Sequence, residues 1–282
     1  MGQIGAHQPD PFVIDDSFAI SLGAGGAVYR KTAGLTPRDQ AFNPAQKTLV
    51  LIGAGQSNYV SVNPTLYVPT NSSVIDNFNI YDGGSYSIGG PLVGTQYNSG
   101  LGPGNILARI AQNAITGGFD RVVVVPIAIA GTVAADWATG SLSDRIGVAM
   151  RRLASRGYVP GATGLTFALS WGQGETDNGN GTSQASYAAS MATVISNAQA
   201  AGFTGSSCRF FINKQTWLSG AVSSAVQSAQ TALPNGTTVF AGGDLDSLDA
   251  TNRQDNTHFN DTGSAAAASF IWSAMHASGA PY

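Results

Sequence analysis

An α/β fold is predicted for this chain: a doubly wound, flavodoxin-like parallel sheet flanked by helices on both faces. Three observations predict it. Apolar runs of strand length are continuous rather than alternating, as strands covered on both faces must be. Segments with helical apolar periodicity separate those runs. With 282 residues, 43% of them hydrophobic, the chain is large enough to bury the core that such a sheet requires.

The elements follow in order. Residues 1 to about 46 form a Gly-rich arm without recognisable chemistry, read as a flap or an interface, and the domain proper is expected over 47–282. Thr48 to Ile52 reads as the first strand, Val122 to Ile129 as the next, then Leu165 to Trp171, Arg209 to Lys214 and Thr238 to Ala241. Between them Ile106, Leu107, Ile110 and Ala114 share one helical face, as do Leu142, Ile146, Ala149 and Leu153 before the stop at Gly157. Tyr187, Met191, Val194, Ile195 and Ala198 repeat the pattern before Gly202. The last helix is expected to begin with Asp261 as N-cap and to turn Ala266, Phe270, Ile271 and Met275 toward the sheet.

Composition excludes several function classes. Charged residues make up only 10% of the chain, against roughly 25% in ordinary globular proteins, so the surface is mostly neutral and polar. A net charge of -3 with scattered Lys and Arg leaves no basic stripe, so no nucleic-acid partner is expected. The longest apolar runs, Val122 to Ala130 and Ala265 to Ala277, are too short to span a bilayer, and no membrane association is expected. No signal peptide is visible at the N-terminus, and the low charge suits a secreted, mature or phage protein equally. Cys208 is the sole cysteine, which rules out an internal disulfide and points to a buried structural thiol.

In such a sheet, ligands bind beyond the C-terminal strand ends, and four distant pieces of the chain reach that edge. Gly55-Gln56-Ser57-Asn58 follows the first strand, Gly131-Thr132 the second, Gln173-Gly174-Glu175-Thr176-Asp177 the third, and Asp255-Asn256-Thr257-His258 comes after the last. A serine hydroxyl attacks a carbonyl usefully only when a base removes its proton and a carboxylate orients that base. Three histidines are available. His7 sits in the polar arm and His276 ends an apolar helix, where it complements the dipole. His258 lies in a polar loop, three residues after Asp255, so one turn of chain brings both side chains to the same side. A glycine at 131 lets backbone approach a substrate closely, and the neutral amide of Gln173 can donate to an oxyanion without titrating.

These motifs, with Ala128-Ile129-Ala130 ahead of Gly131 and Asp136-Trp137 beyond it, resemble the SGNH (GDSL-like) hydrolases, and within them the sialic-acid O-acetylesterase-like carbohydrate esterases. The resemblance covers about residues 46–278. It implies a three-layer α/β/α sandwich with Ser57 as nucleophile, His258 as general base and acid, and Asp255 as its orienting carboxylate. The oxyanion hole implied is the backbone N–H of Ser57, the backbone N–H of Gly131 and the side-chain amide of Gln173. Gln56, Asn58, Glu175 and Asp177 are assigned to the surroundings of the site or to substrate binding. The implied reaction removes O-acetyl groups from a carbohydrate, acetylated sialic acid or a plant or bacterial polysaccharide, through an acyl-enzyme, with no cofactor and no metal. Gly102-Pro103-Gly104-Asn105 and Ala130 depart from the pattern expected of the family, which loosens the assignment of substrate.

Other readings of the same residues compete. A thioesterase or a broader short-chain esterase or lipase fits the same fold. Dinucleotide binding fits Gly53-Ala54-Gly55 with Asp76 beyond, but Asn58 stands where the third glycine belongs. Glu175 and Asp177 are carboxylates that a glycosidase would need, yet their position directly after a strand suits a helix N-terminus better. Trp137 and Trp171 are packing residues that, near the rim, leave a sugar platform open. Asp244, Asp246 and Asp249 lack the spacing of a calcium loop and read as solvated acids, with Asp246 and Asp249 as more distant substitutes for Asp255. A non-catalytic carbohydrate-binding or virion surface module rests on composition alone.

Overall fold

The computed structural model describes residues 35–38, 42–97, 100–279 and 281–282. His7 and most of the N-terminal arm lie outside the described residues.

The first strand, β1 (Thr48–Gly55), is fully buried and central. β2 (Ile75–Asn79) and β3 (Gly84–Ser87) form an antiparallel hairpin at one edge, and β4 (Arg121–Pro126) lies between β2 and β1. β5 (Leu165–Gly172), β6 (Cys208–Lys214) and β7 (Val239–Asp244) follow on the other side, so the order is β3-β2-β4-β1-β5-β6-β7. All pairings except β2–β3 are parallel. The chain leaves β1 toward one edge and returns past it to build the other, which puts the topological switch point at the carboxyl end of β1.

Among the described residues seven helices flank the sheet: α1 (Ile106–Thr116), α2 (Ala134–Ala138), α3 (Arg145–Ser155), α4 (Glu175–Gly179), α5 (Gln184–Ala200), α6 (Ser224–Ala232) and α7 (Asp261–Ala277). The two faces of β1 enter different cores. Val50, Ile52 and Ala54 pack with residues of α2, α3, α5 and α6, whereas Leu49 and Leu51 pack with α1 and α7. This double coverage is why the strand sequences are apolar throughout.

The expected strands and helices are present, with shifted ends. β1 runs on to Gly55 because Ala54 and Gly55 still pair with Trp171 and Gly172. β4 stops at Pro126, short of Ile129, although the N–H groups of Ile127 and Ile129 still reach the carbonyls of Gly53 and Gly55 at 2.9 and 3.0 Å. The edge hairpin β2–β3 and helix α6 are not predicted by apolar runs, since polar residues dominate both. The N-cap of α7 is Asn260, whose side chain accepts the Gly263 N–H, and not Asp261. Its buried stripe is Ser264, Ala267, Ala268, Ile271 and Met275, so Phe270 points outward, 40% exposed. In an alanine-rich helix small residues define the packed face as well as large ones, and the large-residue stripe misleads. No helix among the described residues is long and apolar enough to cross a membrane.

Candidate active site

The carboxyl end of β1 turns sharply into a 3₁₀ turn over Ser57–Tyr59. Gly55 makes the turn possible: its φ is +127°, and a Cβ there would stand 2.0 Å from the Gly172 carbonyl oxygen. Ser57 opens the turn and is 8% exposed. Its N–H, in the first turn, has no intrahelical acceptor.

Gln56 and Asn58, on either side of Ser57, tie the turn to the rest of the site. Asn58 is fully buried. Its amide donates to Glu175 Oε1 at 2.8 Å and to the Thr257 carbonyl at 3.4 Å, and its Oδ1 accepts the Phe259 N–H at 2.9 Å. The residues before and after His258 are therefore both fastened to the residue after Ser57. A second strap runs beside it, with Asn63 donating to the Phe259 carbonyl at 3.2 Å and Gln254 to the Val62 carbonyl at 2.7 Å.

Within the 253–259 loop, Asp255 and His258 meet as their spacing suggests. Asp255 Oδ2 lies 2.7 Å from His258 Nδ1, while Oδ1 accepts the backbone N–H groups of Thr257 at 3.1 Å and His258 at 2.7 Å. Partial burial works to raise the Asp255 carboxyl, but the hydrogen bonds from the His258 ring and from both backbone groups outweigh it and hold the group below the usual range. The His258 side chain is 19% exposed. Asn256, at φ +60°, closes the turn between the two. Arg253 braces the loop from beneath, donating to the carbonyls of Thr257, Leu245 and Leu248 and packing over Trp217 and Phe259. Ser57 Oγ and His258 Nε2 make no hydrogen bond of 3.5 Å or less to any described residue, and catalytic hydrogen bonds often tighten only when substrate arrives.

Gly131 lies in the loop after β4, exposed, with φ +72° and open space where a side chain would project. Just behind it, the Ala130 N–H is held by Gln96 Oε1 at 2.6 Å, and Thr132 is buried, accepting from Trp137 Nε1 at 3.0 Å.

Gln173 differs from expectation. It is fully buried, and its amide nitrogen faces Asp177 Oδ2 at 2.6 Å, the Thr132 carbonyl at 3.1 Å and Gln56 Oε1 at 3.1 Å. Three acceptors engage its two hydrogens, so the side chain joins three loops.

Glu175 and Asp177 stand in the first turn of α4, both buried. Asp177 accepts from Gln173 and from the Ala134 N–H at 2.9 Å. Glu175 accepts from Asn58 and, at 2.7 Å, from Gln215. Burial pushes the Glu175 carboxyl up to about 7, although both hydrogen bonds act to lower it. Its Oε2 and the Gln215 Oε1 have no hydrogen-bond partner among the described residues.

Several other expectations are corrected. Trp137 and Trp171 are not rim residues: they are 1% and 0% exposed and pack edge to face, 5.4 Å between centroids. Asp246 is not a solvated acid, since it is buried and receives the N–H groups of Thr216 and Trp217, the Thr216 hydroxyl and the Gln227 amide. Asp244 pairs with Lys214 at 3.1 Å, and Asp249 caps the turn at Ala250–Asn252. Asp76, the acid that a dinucleotide site would need for a ribose, is buried against Arg121 at 2.7 Å. Cys208 is buried, and burial lifts its thiol to about 11.

Gln215 and Arg253 are absent from the sequence reading. Gln215 directly follows β6, the same placement that singles out Ser57 and Gln173, and Arg253 stands two residues before Asp255.

The profile of the family described as "Carbohydrate esterase, sialic acid-specific acetylesterase" matches residues 85–276. That span includes Gly131, Gln173, Asp255 and His258 and begins after Ser57. Among solved structures, an Arabidopsis thaliana protein is 20% identical, covers 82% of this chain and 98% of its own, and superposes with a TM-score of 0.61. A carbohydrate acetylesterase from Sinorhizobium meliloti is 13% identical, with 82% and 99% covered and a TM-score of 0.46. A carbohydrate esterase family 3 protein from Talaromyces cellulolyticus is 12% identical, with 82% and 96% covered and a TM-score of 0.45. At 20% identity the likeness to the Arabidopsis protein concerns the fold. No curated protein matches the sequence.

Proposed function

The chain belongs to the carbohydrate esterase family of sialic acid-specific acetylesterases, and from that membership we propose that it removes O-acetyl groups from a carbohydrate through an acyl-enzyme on Ser57. The observation that supports this reading is the strap from Asn58 to residues 257 and 259, which fastens the loop carrying His258 to the turn bearing Ser57.

In this mechanism His258 Nε2 takes the Ser57 proton as Oγ adds to the acetyl carbonyl, while Nδ1–H stays on Asp255, which steadies the imidazolium. The negative oxygen of the tetrahedral intermediate is met by the N–H groups of Ser57 and Gly131. Collapse breaks the bond to the sugar oxygen, which leaves with the proton from His258. A water then enters, gives a proton to His258 and attacks the acetyl carbonyl. Acetate departs and Ser57 recovers its proton. The low surface charge suits a neutral sugar as well as a sialic acid.

The test is turnover on acetylated xylan, an O-acetylated sialic acid and an aryl acetate by wild type and Ser57→Ala. Acetate release that vanishes in Ser57→Ala supports the reading. Undiminished aryl acetate hydrolysis by that variant refutes it.

A further inference from the structure

The geometry points to Gln56, not Gln173, as the side chain that donates a hydrogen bond to the oxyanion; this inference rests on the proposed serine esterase reading. The orientation of the Gln56 amide is settled by its neighbours. Its oxygen faces the backbone N–H of Thr176 at 3.2 Å, and a backbone N–H can only donate. The Gln173 nitrogen, fixed as a donor by the Thr132 carbonyl and the Asp177 carboxylate, lies 3.1 Å from the same Gln56 oxygen. Both contacts require Oε1 on the α4 side. Nε2 therefore points the other way.

That nitrogen makes no hydrogen bond to any described residue, although Gln56 is only 2% exposed. A buried amide with two unused hydrogens costs free energy unless something meets them. It is not sealed in: Gln173 Oε1 is an enclosed side-chain atom without a partner and the Gln56 nitrogen is not, so that nitrogen keeps some exposure, as the neighbouring Ser57 does at 8%. The neighbours of Gln56 complete the arrangement. Ser57 is the next residue, and Gln173 ties the Gln56 oxygen to the carbonyl of Thr132, the residue after Gly131. The Gln173 amide thus serves as a positioning group: it takes up the Gln56 oxygen and thereby aims the Gln56 nitrogen. An amide held in this way needs no reorganisation as charge develops on the substrate oxygen.

Gln56→Glu tests this, because it keeps an acceptor for Thr176 and Gln173 and replaces the donor with a second oxygen. Assayed at about pH 8.5, well above the ordinary glutamate range, the variant is expected to lose on the order of 100- to 1,000-fold in kcat with little change in KM. Its affinity for phenylboronic acid, whose tetrahedral adduct on serine presents the same anionic oxygen, should fall by a similar factor. Gln56→Met, near-isosteric and without a donor, repeats the measurement should the glutamate variant not fold. A folded variant of either kind that keeps kcat and boronate affinity within about threefold of wild type overturns the inference. Ser57→Ala, run alongside, separates the two claims. Activity surviving in Ser57→Ala refutes the esterase reading itself, whereas a dead Ser57→Ala beside active Gln56 variants refutes only the donor.

Discussion

Asn58 Oδ1 accepts the backbone N–H of Phe259 at 2.9 Å, joining two residues 201 positions apart. With the bond from Asn58 to the Thr257 carbonyl, it makes the placement of His258 depend on the residue next to Ser57.

Replacing Asn58 by Ala should therefore act on both stability and rate. It leaves the buried Phe259 N–H without an acceptor, a loss of about 2–3 kcal/mol, and frees the loop that carries the proposed base, His258. Misplacement of a catalytic group by about 1 Å costs on the order of 100-fold, so kcat should drop by about 10- to 100-fold. Denaturant unfolding and steady-state kinetics on an aryl acetate measure the two effects.

Asp255→Asn should keep the fold and lose most of the activity. The amide cannot steady an imidazolium and favours the wrong tautomer of His258, an effect worth on the order of 10,000-fold in an analogous triad. Because its hydrogen bonds hold the Asp255 carboxyl below the usual range, the wild-type acid limb should owe nothing to Asp255 above about pH 4. A pH–rate profile of kcat/KM for both proteins checks this.

Glu175 gives a stability effect of the opposite sign. An acid whose folded pKa is raised binds its proton more tightly in the native state, so stability is greatest below the unfolded pKa and falls as pH rises toward the folded value. With burial lifting Glu175 from 4.5 to about 7, the fall spans that interval and amounts to roughly 3 kcal/mol. Glu175→Gln should remove this contribution and raise the melting temperature at about pH 8 relative to wild type. A melting series between about pH 5 and 8 that shows the same slope in both proteins would count against it.

Chelation should leave activity and stability unchanged. The best-placed acid of the 244–249 loop, Asp246, already has its two oxygens occupied by four donors, so it has no open face for a cation. Loss of aryl acetate turnover after EDTA treatment, restored by calcium, would contradict this.

Much of the fold is legible in the sequence because it follows from local rules. Continuous apolar runs mark β1, β4, β5 and β6, and helical stripes mark α1, α3 and α5, since burial on two faces or one stripe leaves a periodic trace. The Asp255–His258 pair is legible for the same reason, its contact lying within one turn of chain. The polar hairpin β2–β3 carries no such trace, and the face of α7 is hidden among its alanines.

What the chain alone determines, then, is which residues reach the carboxyl edge of the sheet. Which of the two glutamines there has a free donor is decided by contacts among β1, the loop after β4 and α4. An amide carries both a donor and an acceptor, and its sequence position says nothing of which way it faces. Only the Thr176 N–H, the Thr132 carbonyl and the Asp177 carboxylate, brought together by folding, choose the orientation.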